Sequence, residues 1–376
     1  MKVTLERDAL AGIVGALDLS ITSRIVIPIL GYVKIDATEN VTFCTHNLDQ
    51  CVYSTVSGDI SEQGSICIPF QPFASIVSGS AKGSHVIIDA DDKTASIRIG
   101  RSRYTLGVLS VADFPNVLTP INSSEFEIGA DELSYLIDAT SYAVLDGVAA
   151  KPHEANLFLF DKDGHLGALA TKGAAVSLAW LGEPVGLSLP QQKGAGGEDD
   201  LRGILINKSV SGDLKKVARS GKVKFLVGEN VVSVSNENVT YSTKMAEGAV
   251  PSWRRIPAPP ETRATVSRQI LLGAISRLFA VHDMKNITAV RMKWGGGILT
   301  MNLRNGFDGT ATGEEEIECS TTGENETAVN ITYLHETVEK LNCETIQICS
   351  ESKETPVHFV TPDDPNRHAV VMPIRW

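Results

Sequence analysis

The stretch PFQPFASIVSGSAKGSHVIIDADDKTASIRI, residues 69–99, reads as a short helix, a strand, a turn and a second strand. The same layout returns in INKSVSGDLKKVARSGKVKFLVGENVVSVSN, residues 206–236, and in NITYLHETVEKLNCETIQICSESKETPVHFV, residues 330–360. Apolar residues recur about every 3.6 positions in the helical part and alternate in the strand that follows. Turn residues separate the two strands in each copy. The sequence therefore predicts three copies of one helix–strand–strand element.

A second repeated element lies upstream of each copy. Two alternating apolar residues, a polar turn and apolar residues at helical spacing occur in 3–17 and 126–140, and less clearly in 264–278. Two elements in the same order three times indicate an internal threefold repeat. We therefore predict an α+β chain of three similar domains, 1–120, 121–252 and 253–376. Pro-rich joins separate the domains, and the unrepeated segment LPQQKGAGGEDDLRG, residues 189–203, is typical of a surface loop.

Composition limits the class of protein. The chain has 376 residues, 43% of them hydrophobic, and a formal net charge of −11. No stretch approaches the roughly 18 apolar residues that a membrane-spanning helix needs, and no apolar leader follows Met1-Lys2. The six cysteines show no paired metal spacing, so we interpret them as reduced buried thiols of a cytoplasmic protein. The negative charge argues against nucleic acid unless the positive charge is concentrated on one face.

No motif in the sequence points to catalysis. Phosphate-binding, dinucleotide-binding and zinc-protease patterns are missing, and His335-Glu336 lacks the second histidine that a zinc site needs. The acidic clusters DADDK, residues 89–93, and DKDGH, residues 161–165, are interpreted as turns rather than metal sites. We therefore predict a non-enzymatic binding or scaffold protein without metal or cofactor. A hydrolase on an α+β scaffold is a weaker alternative.

Five segments together resemble one family, the bacterial sliding clamp or beta subunit of DNA polymerase III. They are IPILG (27–31), GRSRYTLGVLSVADFP (100–115), ALATKGAAVSLAW (168–180), VPSWRRIP (250–257) and AVVMPIRW (369–376). The resemblance implies a DNA-clamp fold in which each of the three domains packs two helices on antiparallel sheet. It also implies that two chains pair head to tail as a homodimer, a ring of six domains with the helices around a central hole.

Such a ring is expected to encircle double-stranded DNA without sequence preference and to tether the replicative polymerase. The protein would then be a processivity factor, a non-catalytic subunit of the DNA polymerase III holoenzyme in the bacterial cytoplasm. Basic inner helices would reconcile DNA binding with the acidic chain. The resemblance and the repeats place these residues on the DNA side: Arg24, Lys151, Lys208, Lys215, Lys216 and Arg219. For Lys215 and Lys216 a solvated helix face is the alternative.

The apolar ending AVVMPIRW is the second site that the resemblance implies. It predicts one wall of a hydrophobic pocket between the second and third domains, which would take short linear peptides of the DNA polymerase III alpha subunit, the clamp loader and repair proteins. Without the resemblance, an edge strand ending in core contacts is the simpler interpretation. The predicted pocket residues are Ala155, Thr171, Gly173, Val176, Pro251, Arg255, Ile256, Val370, Val371, Met372, Pro373, Ile374 and Arg375.

The chain departs from the family at this pocket. Lys172-Gly173-Ala174-Ala175 stands where Asp-Gly-His-Arg is common, and Ala155 replaces a usual leucine. These changes predict a wider and more apolar pocket. They also motivate an alternative function, an accessory clamp-like scaffold with altered peptide specificity that is not the main replicative clamp.

The subunit interface is expected between the edge strand of the first domain and the first helix of the third. Tyr104 and Leu106 match the family's apolar contacts on one side, and Ala280 and Val281 match them on the other. The small side chains on the second side predict a ring that dissociates more readily than usual.

Overall fold

The structure is a computed structural model that describes residues 1–22, 24–145, 150–198, 200–283, 286–304 and 310–375. The chain separates into two compact units, which are described one at a time. Unit one is Met1–Leu133 with Gly212–Met245, and unit two is Ser134–Ser211 with Ala246–Trp376. The division into domains 1–120, 121–252 and 253–376 stays a prediction.

Runs of strands separate the helices along the described residues. The helices are α1 (Arg7–Leu17), α2 (Phe70–Ser78), α3 (Ala130–Thr140), α4 (Pro152–Ala155), α5 (Lys208–Val217), α6 (Arg268–Ala280) and α7 (Ile331–Lys340). The strands are β1 (Lys2–Glu6), β2 (Tyr32–Ala37), β3 (Val41–His46), β4 (Gln50–Val56), β5 (Gly58–Glu62), β6 (Gly64–Pro69), β7 (His85–Ala90), β8 (Thr94–Ile99), β9 (Ser102–Gly107), β10 (Ser124–Gly129), β11 (Asn156–Lys162), β12 (His165–Thr171), β13 (Ala175–Trp180), β14 (Gln191–Gln192), β15 (Leu201–Asn207), β16 (Lys222–Val227), β17 (Val231–Asn236), β18 (Val239–Lys244), β19 (Arg263–Ser267), β20 (Ala289–Gly295), β21 (Ile298–Leu303), β22 (Gly313–Glu318), β23 (Ser320–Thr322), β24 (Asn325–Asn330), β25 (Thr345–Cys349), β26 (Val357–Thr361) and β27 (Asp364–Val371).

Both repeated elements take the predicted form. The helix–strand–strand copies are α2–β7–β8, α5–β16–β17 and α7–β25–β26, and the strand–helix copies are β1–α1, β10–α3 and β19–α6. In every copy the strand before the first helix pairs antiparallel with the strand after the second helix. The repeat is therefore one of structure, and it relates the three copies residue by residue.

The start of each first helix repeats one backbone hydrogen bond. The first helical N–H, of Arg7, Ala130 or Arg268, donates to the carbonyl just before the paired strand, of Ser84, Gly221 or Glu344, and each bond is 2.9 Å long. In the first and third copies the arginine also donates to the last carbonyls of the second helix. Arg268 reaches those of Val338 (3.0 Å) and Glu339 (2.6 Å). These bonds satisfy carbonyls that a helix end leaves without intrahelical partners.

Two antiparallel sheets form each unit. Unit one has a five-stranded sheet, β5-β1-β7-β8-β9, and an eight-stranded sheet, β10-β16-β17-β18-β4-β3-β2-β6. Unit two has a ten-stranded sheet, β14-β15-β11-β12-β13-β27-β26-β25-β19-β23, and a four-stranded sheet, β22-β21-β20-β24. An apolar core of unit two surrounds Trp294 and includes Phe359, Leu334 and Leu271.

The long sheet of each unit joins two copies of the repeat through one strand pair. In unit one β18 pairs with β4, from Val239 opposite Ser54 to Thr243 opposite Gln50. In unit two β27 pairs with β13. Each pair unites the last strand of one copy with the corresponding middle strand of the copy before it. We call them the first junction (β18–β4) and the second junction (β27–β13).

Candidate functional site

The second junction brings most of the predicted pocket residues together. Val371 lies opposite Ala175 and Val370 opposite Val176, so the C-terminal strand is the direct neighbour of β13. After the strand, the Met372 N–H donates to the Ala174 carbonyl (2.7 Å), and the Ile374 N–H donates to the Ala328 carbonyl (2.8 Å). Val370 and Val371 are buried, whereas the Met372 side chain is 45% exposed. Pro373 and Ile374 are half-buried and Arg375 is exposed, while Trp376 lies outside the described residues.

The turn before β13 carries the next group of predicted pocket residues. Thr171 is buried and its hydroxyl donates to the Ala175 carbonyl (3.1 Å). Gly173 has φ +81°, a left-handed conformation that glycine adopts without steric cost. The Glu154 carboxylate of α4 lies beside Gly173, which places the neighbouring Ala155 next to this turn.

The linker that follows β18 carries the third group of predicted pocket residues. Val176 and Ile256 pack against one apolar cluster with Trp253, whose ring stacks on Phe160 at a centroid distance of 5.8 Å. Such a pair is worth about 0.5–1.5 kcal/mol beyond its buried area. Pro251 lies half-buried at the start of this linker. Strand, turn and linker thus meet around Val176, Val370 and Ile256.

The first junction explains why a pocket can form at the second. Both have the same backbone: the Lys244 N–H donates to the Asp49 carbonyl (2.9 Å) just as Met372 donates to Ala174, and Leu48 has φ +78° where Gly173 stands. At the first junction the His46 ring reaches the Asn116 carbonyl of the linker (3.1 Å), and Cys51 beneath it is fully buried. The equivalents of His46, Leu48 and Cys51 are Thr171, Gly173 and the half-buried Val176. Two smaller side chains therefore leave apolar surface uncovered at the second junction.

Two residues that depart from the family pattern, Lys172 and Ala175, make their contacts away from the predicted pocket. Lys172 turns away from the pocket and forms an ion pair with Glu336 of α7, with its ammonium 5.0 Å from the Tyr333 ring centre. The Lys172 side chain is only 7% exposed, so this pair ties the turn to α7. Ala175 is buried in the core with Val371 and does not line the pocket. Its side chain points to the opposite face from Val176, and the wider pocket stays a prediction.

Arg255 is positioned by the loop that has no counterpart in the repeat. Its guanidinium forms an ion pair with Glu198 and donates to the Gly196 carbonyl (2.8 Å). A hydrogen bond from the backbone N–H of Glu198 itself, and then the hydrogen bond from Arg255, lower the pKa of the Glu198 carboxyl. The loop also pairs with the linker, since the Ala195 N–H donates to the Val250 carbonyl (2.8 Å). Sequence reasoning placed Arg255 in the pocket and missed the loop that holds it.

A pair of buried histidines lies on the same sheet face as the pocket. His358 is opposite Val370 on the neighbouring strand, and His368 is opposite Leu178. The two rings share a hydrogen bond of 2.8 Å between Nδ1 of His358 and Nε2 of His368. Burial lowers the pKa of each to about 4. One ring must donate and the other accept, so the bond needs at least one neutral imidazole.

The predicted DNA-facing residues fall into two groups. Lys208, Lys215 and Lys216 lie on α5 and Arg219 follows it, opposite the buried face of Val210, Leu214 and Val217. Lys216 pairs with Asp213 (3.1 Å), and Arg219 donates to the Lys216 carbonyl (3.1 Å). Arg24 is exposed in the segment before Pro28, and Lys151 is exposed at the start of α4. Their contact with DNA stays a prediction.

The predicted interface residues occupy surface positions. Tyr104 is 43% exposed and Leu106 is half-buried on β9, which has a hydrogen-bonded neighbour on one side only among the described residues. Ala280 is exposed at the end of α6, and Val281 is half-buried just after it. Across the described ranges no cluster of three acidic, histidine or cysteine side chains suits a metal ion, and no helix is long and apolar enough to span a membrane.

An α+β chain whose copies join edge to edge through antiparallel strands has the DNA-clamp fold. Family models match residues 1–118 (DNA polymerase III beta subunit, N-terminal domain) and 254–375 (C-terminal domain). Over the full length of both chains, the beta sliding clamp of Caulobacter vibrioides is 27% identical and that of Escherichia coli K12 is 23% identical. The DNA polymerase III beta subunit of Pseudomonas aeruginosa has the same fold (TM-score 0.90, 21% identity, both chains fully covered). The chain belongs to the DNA polymerase III beta subunit family, the bacterial sliding clamps.

Filling the pocket with the side chains of the first junction is expected to abolish peptide binding. We predict that Thr171→His with Gly173→Leu weakens binding of a short apolar clamp-binding peptide at least about tenfold, since buried anchors carry most of such affinity. The measurement is fluorescence anisotropy of a labelled peptide. The matched control, His46→Thr with Leu48→Gly, changes the first junction and should bind the peptide as the parent does. Equal loss in both variants would contradict the assignment.

Acid is expected to destabilise the fold through the histidine pair. The pKa of about 4 in the folded protein is below the ordinary 6.5, so the unfolded chain binds more protons between these values. Stability is complete above pH 6.5 and falls as the pH drops toward 4. We predict that the thermal midpoint of the parent falls more steeply over this range than that of His358→Gln with His368→Gln. Parallel curves would refute a role for the pair.

Proposed function

We propose that this chain is the sliding clamp of a replicative DNA polymerase: two copies close a ring around duplex DNA, and partner proteins dock by short peptides at the second junction. The observation that carries the proposal is the pair of edge strands β9 and β22. Within the described residues each has one hydrogen-bonded neighbour, and they are the counterparts of the strands that the two junctions join. Head-to-tail pairing of these two edges between copies is the kind of contact that generates a closed ring.

The weak attraction to DNA comes from the basic face of α5, supported by Arg24 and Lys151. A ring needs no tight or sequence-specific contact, because DNA threaded through it cannot leave sideways. The contact to phosphates is therefore salt-sensitive and non-specific. The overall charge of −11 keeps the remaining surface from competing for DNA.

The peptide partners are the DNA polymerase III alpha subunit, the clamp loader and repair proteins, which bind one at a time to the same pocket. Support comes from the half-buried Val176 and Ile256 and the exposed Met372, and from the exposed Arg255 and Arg375. A solved clamp of Pseudomonas aeruginosa that shares the fold (TM-score 0.88, 21% identity) is bound to griselimycin. The protein is non-catalytic, uses no cofactor and acts in the bacterial cytoplasm.

Retention on DNA tests the proposal. The protein is loaded onto nicked circular duplex by its clamp loader, separated from free protein by gel filtration, and the circle is then cut once at unchanged salt. We expect the protein to remain on the circle and to leave within minutes of linearisation. Retention on the linear form would mean ordinary electrostatic binding and contradict encirclement. Failure to load, with peptide binding intact, would favour the accessory scaffold.

A further inference from the structure

We propose that the unrepeated loop, residues 189–203, sets the charge specificity of the peptide pocket, because its Glu198 carboxylate neutralises the Arg255 guanidinium. The inference rests on the proposed peptide-binding function and adds what the loop does at that site. With Arg255 neutralised, the pocket selects peptides by their apolar residues. A carboxylate of the peptide beside those residues brings no gain in affinity.

Backbone hydrogen bonds fix the loop to the linker that follows β18. The Val250 N–H donates to the Lys193 carbonyl (2.9 Å), and the Ala195 N–H donates to the Val250 carbonyl (2.8 Å). Within the loop, the Gly194 N–H donates to the Glu198 carbonyl (2.7 Å). These bonds do not depend on side chains, and they satisfy backbone groups that a loose surface loop leaves to water. The loop therefore has a defined place beside the linker.

The linker of the first junction begins in the same way but has a different neighbour. Leu109 starts that linker with a bridge to Cys67. Ala246 starts the second linker with a bridge to Leu205, which is equivalent to Cys67 because each lies three residues before the second helix of its copy. Further along, the second linker is bound to the loop, whereas the His46 ring reaches the first linker. The loop is thus an addition at the junction that carries the proposed pocket.

The Arg255 side chain is held against this loop. Its Nε donates to the Glu198 carboxylate in an ion pair, and its Nη2 donates to the Gly196 carbonyl (2.8 Å). The guanidinium also lies against Gly196, where the Cβ of any other residue would collide with it. Because a guanidinium directs its N–H groups in fixed directions, these two contacts determine its orientation.

Glu198 is largely withdrawn from solvent, whereas Arg255 is not. The Glu198 side chain is 21% exposed and the Arg255 side chain is 62% exposed. A hydrogen bond from its own backbone N–H, and then the one from Arg255, lower the pKa of the Glu198 carboxyl, so it is charged at neutral pH. Two opposite charges in contact leave little net attraction for a third charge. The exposed guanidinium is therefore neutralised before a peptide arrives.

Arg255 lies next to apolar residues of the proposed site. Ile256 follows it directly and packs in one cluster with Val176, the residue opposite Val370 at the second junction. A charged group beside an apolar site determines which peptide residues are accepted next to the apolar anchor. Neutralising Arg255 therefore removes a preference for acidic residues at such positions.

Matched peptides test this specificity in the full-length protein. Two pairs of labelled peptides share their apolar residues, and the members of a pair differ only by Asp or Asn, placed directly before or directly after those residues. We expect the parent to bind the members of each pair within about twofold, measured by fluorescence anisotropy. Glu198→Gln keeps an acceptor for Arg255 but removes the carboxylate. It should favour the Asp peptide at least about threefold in at least one pair.

Gly196→Ala tests the same point without a change of charge. The added Cβ displaces the guanidinium, which is the mobile end of a long side chain, and should also favour the Asp peptide. The matched control Asp200→Asn removes an equal charge from the loop at the residue that pairs with Arg254, and should bind the peptides as the parent does. Adding Arg255→Ala to Glu198→Gln should abolish the preference for Asp.

Three results would overturn the inference. They are an Asp-to-Asn affinity ratio in Glu198→Gln equal to that of the parent in both pairs, a parent that already favours Asp at least about threefold, and a preference for Asp that survives Arg255→Ala. A parent that binds none of the four peptides would instead contradict the proposed peptide-binding function, and the inference would fall with it.

Discussion

Antiparallel pairing between the last strand of one copy and the middle strand of the preceding copy is the interaction on which the rest of the structure depends. It occurs at β18–β4 and at β27–β13 with one register, and it makes each unit's long sheet continuous. Backbone hydrogen bonds set this contact, so it tolerates different side chains in each copy. Ser242 and Val370, for example, occupy the same position at the two junctions.

Because of that tolerance, the two junctions carry different side chains on the same backbone. At the first junction the His46 ring reaches the linker and Leu48 stands in the turn, whereas the smaller Thr171 and Gly173 occupy these positions at the second junction, beside the half-buried Val176. The Lys172–Glu336 ion pair connects the turn before β13 to helix α7. The proposed peptide site thus differs from the first junction by two smaller side chains on the same backbone.

The sequence predicted what depends on local periodicity. Apolar spacing of about 3.6 and of 2 residues located α2, α5 and α7 and the strands after them, because a helix or strand face is defined by neighbours a few residues away. The resemblance predicted the contribution of the C-terminal strand to the pocket, and the structure places Val370 opposite Val176.

Contacts between distant parts of the chain were not predictable. Lys172 and Glu336 are 164 residues apart, and the sequence around each residue does not indicate that the two form an ion pair. Glu198 lies in a loop that composition describes as flexible, yet it holds Arg255. The burial of Ala175 depends on β27 lying beside β13, which no spacing within residues 168–180 shows.

Hydrogen exchange of the edge-strand amides tests the central claim most directly. If β9 and β22 are the remaining counterparts of the joined strands, amides of residues 102–107 and 313–316 exchange slowly at concentrations where the protein is dimeric. They exchange much faster after dilution to monomer, while the amides of β4 and β18 stay protected throughout. Fast exchange in β9 and β22 in a sample that is dimeric by mass would contradict the account.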